Sequence, residues 1–192
     1  MSNRSTKIKA LLSLGLLVGF GTVTTLAAWT GTATATTSIT AATVSLGVGA
    51  NATSATTSTY TVPITGTDWY PGASAAALVT VKNSSSVAVS YSMQGAITES
   101  SQYELGKAMQ VSVRSGASIT GTAPAATCTG GTPVISKASG AAFDAPAARP
   151  AQLAPNGSET YCVQYSLPTA AANNLQGAAT KIDVVFTASV GS

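Results

Sequence analysis

The stretch AALVTVKNSSSVAVSYSMQ, residues 76–94, decides the fold class. In its first half, Val79 and Val81 alternate with Thr80 and Lys82. Its second half alternates in the same way, with four larger apolar residues at every other position: Val87, Val89, Tyr91 and Met93. A period of two places one set on the core face of a strand and the other towards water. Because only a short polar turn separates the two runs, they are predicted to form a β-hairpin.

The same alternation recurs along the chain, whereas no long stretch has the 3.6-residue period of an amphipathic helix. The predicted core positions of these further runs are Val44, Leu46, Val48, Met109, Val111, Val113, Tyr161, Val163, Tyr165, Leu167, Ile182, Val184, Phe186, Ala188 and Val190. The segment TESSQYELGKAM, residues 98–109, is predicted to hold one helical turn. Six or seven short strands predict an all-β fold, a single antiparallel β-sandwich of the jelly-roll or Ig-like type.

Two segments between these runs are predicted to be loops. Residues 49–59, GANATSATTST, are polar and of low complexity. Residues 140–159, GAAFDAPAARPAQLAPNGSE, contain too many prolines for a central strand. Neither segment contributes a predicted strand, and the sequence shows no internal repeat and no second domain.

The amino terminus has the pattern of a secretory signal peptide. Arg4, Lys7 and Lys9 precede an apolar run over residues 10–28, which glycines and threonines interrupt. The uninterrupted part is short for a membrane span and typical of the hydrophobic helix of a signal peptide. Small residues at Thr25 and Ala27 indicate cleavage after Ala27. A retained membrane anchor is the alternative.

These observations divide the chain into a signal peptide over residues 1–28, an N-terminal strand segment over 29–48 and a β-sandwich domain over 49–192. The full sequence has nine Lys and Arg residues and six Asp and Glu residues. Since three of the nine basic residues precede residue 28, cleavage leaves six of each sign and a net charge of zero. We therefore expect no nucleic-acid partner, and contact with the membrane only through an uncleaved signal peptide.

The composition argues against catalysis. The chain has no histidine, so a Ser-His-Asp triad, a Cys-His pair and an HExxH zinc site are excluded. The six acidic residues are scattered, one to a segment, and no phosphate-binding loop follows a predicted strand. We expect the protein not to be an enzyme and to need no cofactor or metal; the sequence does not indicate a small-molecule ligand.

Two pairs of residues stand out. Cys128 and Cys162 are the only cysteines, and in an exported chain they are predicted to form a disulfide that ties a loop to a strand. Free thiols or a metal site are the alternatives. Trp69 and Tyr70, in GTDWYPG, are either a platform for stacking a sugar or anchors at the entrance of a strand.

The order of several motifs resembles the TasA/camelysin family, and more closely the exported actinobacterial proteins with a SipW-type signal peptide. These motifs are LAAWT at residues 26–30, WYPGASAAALVTVKNSSSVAVSYS at 69–92 and LAPNGSETYCVQYSLPTAAANNLQGAATKIDVVFTAS at 153–189. The resemblance implies a jelly-roll β-sandwich and removal of the signal by a dedicated signal peptidase. It places cleavage after Ala28, so that Trp29 becomes the first residue, one position beyond the Ala27 site.

For its best-known members, the resemblance implies a subunit of a fibre in the biofilm matrix, secreted to the cell surface or extracellular space. The freed N-terminal segment of one copy would complete the sheet of the next, so the expected partner is the protein itself as a homopolymer. WTGTATATTSIT, residues 29–40, suits that role because it is uncharged and lacks proline. Its candidate contact residues are Trp29, Thr30, Thr32, Thr34, Thr36 and Ile39. The alternatives are pairing within its own subunit, a disordered tail, and a secreted or membrane-tethered binding module for a carbohydrate or surface partner.

Overall fold

The computed structural model describes residues 41–64, 69–100 and 102–189. The predicted signal peptide with its cleavage residues Ala27, Ala28 and Trp29, and the candidate donor residues up to Ile39, lie outside the described residues. In the part that the structure describes, the prediction of an all-β antiparallel sandwich is confirmed.

Eight strands and two short helices make up the described part. The strands are β1 (Leu46–Gly49), β2 (Ser74–Asn83), β3 (Ser90–Glu99), β4 (Gln110–Thr120), β5 (Thr127–Lys137), β6 (Ala147–Ala148), β7 (Ser158–Ser166) and β8 (Thr180–Ser189). The predicted helical turn is confirmed as α1 (Leu105–Ala108), and a 3-10 helix spans Asn173–Leu175.

The strands form two sheets. The larger sheet has the order β1-β2-β7-β4-β5, and the smaller has the order β6-β3-β8. Every pairing between these strands is antiparallel. The core lies between the sheets, where the alternating apolar side chains of each strand meet.

Most predicted core positions are buried. They are Val48, Val79, Val81, Val89, Tyr91, Met93, Met109, Val111, Val113, Tyr161, Val163, Tyr165 and Leu167. Val44 is wrong as a core position: its side chain is 43% exposed, because it precedes β1 and has no sheet to pack it.

The predicted hairpin over residues 76–94 is wrong. β2 pairs with β1 and β7 in the larger sheet, whereas β3 pairs with β6 and β8 in the smaller one. Residues 84–89 therefore cross between the sheets. The buried Asn83 side chain stabilises this crossing, since its Nδ2 donates to the Val87 and Leu153 carbonyls, both at 2.8 Å. Alternation identified both strands but carries no information about which strand pairs with which.

Two strands lie where loops were predicted. β5 contains Cys128, which therefore lies in a strand and not in a loop, and β6 lies within the proline-rich segment 140–159. Both escaped prediction because Gly130, Gly131 and Pro133 interrupt β5, and because β6 has only two residues. Proline is tolerated in β5 since an edge strand does not need every N–H for pairing.

Candidate functional site

β8 is a long strand at an open edge of the smaller sheet. It pairs with β3 along its whole length, from Ser90 opposite Ser189 to Glu99 opposite Thr180, without a register shift. Among the described residues, no strand pairs with its other side. Its sequence, TKIDVVFTAS, contains neither proline nor glycine. A long, regular edge strand presents a row of backbone N–H and C=O groups to another chain.

The core-facing side chains of β8 are incompletely covered. Ile182, Val184 and Phe186 pack against the core but are only partly buried. On the neighbouring β3, by contrast, Tyr91 and Met93 are fully buried. The centroids of the Phe186 and Tyr91 rings lie 6.3 Å apart, so β8 contributes to the core. Its edge away from β3 stays open. A further strand at this edge would remove more apolar surface from water.

β5 is the corresponding long edge of the larger sheet, and its geometry is irregular. Gly130 and Gly131 have φ of 71° and 62°, a left-handed conformation that breaks the regular strand. The register shifts between Val113 and Arg114 on the paired β4. The Arg114 guanidinium holds this bend, donating to the Gly130 carbonyl at 2.7 Å and the Gly131 carbonyl at 3.1 Å. A bent edge with a proline is a poor template for another strand.

The other two edges are short. β1 has four residues, and a Cβ atom on its Gly47 would lie 2.2 Å from the Ala55 carbonyl oxygen. β6 has two residues; the Phe143 ring packs on the core face of β3, at Gly95, where a Cβ atom would overlap it. Of the four edges in the described part, only that of β8 is both long and regular.

The β4–β5 hairpin folds back over the larger sheet, and a disulfide fastens it there. The predicted bond between Cys128 and Cys162 is confirmed, with an S–S distance of 1.98 Å. It joins β5 to β7, two strands that β4 separates in the sheet. The hairpin end also reaches the start of β2, where the Ser74 hydroxyl donates to the Ala126 carbonyl at 2.9 Å. Cys162 is fully buried as a result.

Ser45, the residue before β1, is clamped to the start of the crossing between the sheets. The Ser45 N–H donates to the Ser85 hydroxyl at 2.7 Å, and the Ser84 N–H donates to the Ser45 carbonyl at 2.9 Å. Ser85 is buried, and its own N–H donates to Asn83 Oδ1 at 2.8 Å. These bonds hold the start of β1 beside the crossing of residues 84–89.

A polar cluster connects the two sheets at the core. Tyr91 donates to Glu159 at 2.7 Å and, since its hydrogen is then used, accepts from Tyr161 at 2.6 Å. Arg149 pairs with the same carboxylate, and its guanidinium lies 5.9 Å from the centre of the Tyr91 ring. The four side chains of the cluster satisfy one another's hydrogen-bonding groups and link the two sheets, which is a structural role.

The cluster shifts the pKa values of its members. Burial raises the pKa of Tyr161 to about 12. Burial also raises the pKa of Tyr91, with further increases from its bonds to Tyr161 and Glu159. Burial alone would raise the pKa of Glu159, but hydrogen bonds from Arg149 and Tyr91 outweigh it and lower that pKa. Because these hydroxyls are held protonated and the carboxyl ionised, the cluster has no group ready to exchange a proton near neutral pH.

A second buried charge is Lys137, at the end of β5. Its ammonium donates to the Met109 carbonyl at 2.6 Å and to the Lys107 carbonyl at 2.9 Å, both at the end of α1. Burial lowers its pKa, and the charge of Glu99 opposes that shift. Its third hydrogen bond goes to the Ala138 carbonyl at 3.3 Å, so this lysine fastens α1 to the larger sheet.

The two candidate stacking residues differ in exposure. Trp69 is partly buried and packs against the core, whereas Tyr70 is 54% exposed. They precede the turn that starts β2, where the Gly72 N–H donates to the Leu167 carbonyl at 2.8 Å. Of the two, Tyr70 is the ring exposed to solvent, and Trp69 packs on the core beside the entrance of β2.

Sequence reasoning identified β8 as a strand but missed that its edge is the open one.

Among the described residues, no group of three His, Cys, Asp or Glu side chains is arranged to hold a metal ion. In the same part of the chain, no helix is long and apolar enough to span a membrane. No family model matches the sequence, and no curated protein matches it significantly.

Proposed function

We propose that this protein is an exported structural subunit that assembles into an extracellular or biofilm-matrix fibre. In this proposal, signal peptidase removes the N-terminal signal, and the freed segment 29–40 of one copy pairs with the β8 edge of the next. The observation that carries the proposal is the contrast among the sheet edges. Three are short, bent or covered, whereas β8 offers ten regular residues and partly exposed apolar side chains.

Strand addition at such an edge gains backbone hydrogen bonds and buries apolar surface at the same time. The incoming segment fits the edge in length and composition. Residues 29–40 contain no charge and no proline, and their threonines favour extended backbone. The chain without residues 1–28 has equal numbers of acidic and basic residues, so little charge repulsion opposes association. The resemblance to the TasA/camelysin family supports the same function.

The second candidate is a secreted or membrane-tethered binding module for a carbohydrate or surface partner. The half-exposed Tyr70 is the observation that favours it. A single aromatic side chain beside an anchored Trp69 offers less stacking area than a row of exposed rings. We therefore place this function behind the fibre subunit.

The test uses protein secreted by its own host. N-terminal sequencing and intact mass should give an end at Ala28 or Trp29 and two hydrogens missing at the cysteines. Negative-stain electron microscopy of the same sample should show thin filaments. A processed protein that stays monomeric at high concentration would contradict the fibre function, and an intact Met1 in the membrane fraction would indicate a retained anchor.

A pair of matched variants tests which edge is used. Val185→Lys places a charge on the open β8 edge at a side chain that is 42% exposed, and Thr132→Lys places the same charge on the exposed part of β5. A charge on an edge strand opposes pairing with another strand. We expect Val185→Lys to abolish filaments and Thr132→Lys to leave them. Equal behaviour of the two variants would contradict the role of β8.

A further inference from the structure

The two sulfur atoms of the disulfide differ in their access to solvent. Cys162 lies on β7 and is fully buried, with 0% of its surface exposed. Cys128 lies at the start of β5, in the β4–β5 hairpin, and is only partly buried. Thiol–disulfide exchange requires an external reagent to reach one of the two sulfurs. This difference in burial therefore bears on which end of the bond can react.

The neighbours of Cys162 in the larger sheet explain its burial. Leu78 on β2 and Arg114 on β4 lie directly opposite it in the two adjacent strands, so all three side chains share one face of the sheet. The hairpin covers this face and brings Cys128 to a Cα–Cα distance of 5.8 Å from Cys162. A reagent that approaches from solvent meets Cys128 first.

Hydrogen bonds hold the hairpin over this face independently of the disulfide. The Cys128 N–H donates to Gln164 Oε1 on β7 at 2.8 Å. At the start of β2, the Ser74 N–H donates to the Pro124 carbonyl at 2.7 Å, and the Ser74 hydroxyl donates to the Ala126 carbonyl at 2.9 Å. Because these bonds do not involve sulfur, the reduced protein keeps the hairpin in place and its second thiol covered.

The bend of the hairpin is also built into its backbone. Gly131 has a φ of 62°, and a Cβ atom there would lie 2.3 Å from the Ser115 carbonyl oxygen, so a glycine is required at this position. The Arg114 guanidinium bonds to the carbonyls of Gly130 and Gly131 on the inside of the bend. The two cysteines are therefore brought together by the fold, and the disulfide fastens an arrangement that already exists.

We infer that Cys128 is the sulfur that exchanges with an external disulfide in the folded domain, and that Cys162 closes the internal bond from beneath it. The Cys128 thiolate attacks the external disulfide, which gives a mixed disulfide on Cys128 and releases one thiol. The Cys162 sulfur then attacks Cys128 Sγ, and its proton leaves with the second thiol. Two protein thiols are oxidised and one external disulfide is reduced to two thiols, so atoms and electrons balance.

The same order of access applies when the bond is broken. An external thiolate attacks Cys128 Sγ, and the Cys162 sulfur is the leaving group, which takes up a proton. The bond is thus made and broken at the surface of the hairpin, without unfolding of the domain. The reagent that fits is a disulfide or thiol that can approach an exposed β-hairpin.

Matched single variants of the full chain test this inference. Cys162→Ala leaves Cys128 as the only thiol, and Cys128→Ala leaves Cys162. In the folded state, Cys162→Ala should react with DTNB and with oxidised glutathione at least about tenfold faster than Cys128→Ala, because a buried thiol reacts only when the structure opens locally. In concentrated urea the two rates should become similar. Equal rates in the folded proteins, or a difference that persists in urea, would overturn the inference.

The reduced wild-type chain gives a second measurement that does not require either variant to fold. Brief native labelling with N-ethylmaleimide, followed by peptide mass spectrometry, should place the label on Cys128 and not on Cys162. With oxidised glutathione, the mixed disulfide trapped at short times should be on Cys128. A label or a glutathione mainly on Cys162 would overturn the inference. Unfolding on reduction, measured by circular dichroism, would overturn it as well, since the order of access exists only in the folded chain.

Discussion

β5 and β8 are both long strands at the edge of a sheet, yet their free sides differ in chemistry. β5 contains two left-handed glycines and Pro133, and its hairpin is bent and fastened to the larger sheet by a disulfide. β8 has none of these features and pairs with β3 in unbroken register. Both are exposed to water, so exposure by itself does not distinguish them.

The difference is one of geometry: the backbone of β5 is bent at its edge, whereas that of β8 is regular. In a soluble β-sandwich each long edge strand is normally protected, because its free backbone groups can pair with a strand of another chain. Here β1 and β6 are short and β5 is bent, whereas β8 is long and regular and has Lys181 and Asp183 as its only charged residues. The proposed function places its binding surface at this edge, and four predictions break or sharpen the comparison.

The largest effect is expected from removing the ring that packs on the core face of β3. Phe143→Ala removes a buried core ring that lies on Gly95. Truncation of a buried phenylalanine costs about 3–5 kcal/mol of unfolding free energy. Urea unfolding followed by circular dichroism measures the loss.

Gly95→Ala serves as the matched variant for the same contact. Its Cβ atom would lie 1.7 Å from Phe143 Cδ1, so the ring must move. We expect the double variant to lose less stability than the sum of the two single losses, because both changes remove one packing interaction. Additive losses would show that Phe143 does not cover Gly95.

The next largest effect concerns the hairpin that ends in β5. Replacing Cys128 and Cys162 together by Ala removes a cross-link between residues 34 positions apart. The chain-entropy relation gives a loss of about 3–4 kcal/mol for a loop of this size. Thermal and urea unfolding measure it, and filaments should persist because β8 is unchanged. Loss of filaments with an intact fold would mean that the β5 side takes part in assembly.

A smaller effect is expected from acid at the polar cluster that joins the sheets. Hydrogen bonding lowers the pKa of Glu159 below its ordinary value of 4.5. Its contribution to stability is therefore complete above that value and is lost as pH falls through the folded-state pKa. Unfolding free energies measured between about pH 6 and about pH 3 should fall more steeply for the wild type than for Glu159→Gln. Parallel curves for the two proteins would contradict the assignment.

The smallest effect is expected at the proline of β5. Pro133→Thr restores a backbone N–H on this edge, and the loss of unfolding free energy should stay at about 1 kcal/mol or less. The bend at Gly130 and Gly131 remains, so we expect no new association in analytical ultracentrifugation. Self-association of this variant with a blocked β8 edge, as in Val185→Lys, would show that Pro133 alone protected β5.

Much of the fold could be predicted because alternation is a local property. Tyr161, Val163 and Tyr165 are buried as their spacing predicts, and the fold class follows from such runs. β5 could not be predicted, since Gly130, Gly131 and Pro133 are typical of a loop and only pairing with β4 makes this segment a strand. The candidate site was missed for a related reason: β8 looks like the other strands until its neighbours are known.

By itself the amino-acid sequence determined the all-β class, most strands and most core positions, and its only two cysteines predicted the disulfide. Each of these depends on residue types and on spacing within one short segment. Only the tertiary structure decided that residues 76–94 cross between sheets, that the β4–β5 hairpin folds back over its own sheet, and that β8 is open. Strand pairing is made by backbone groups that all residues share, so the partner of a strand is set by the packing of the whole domain.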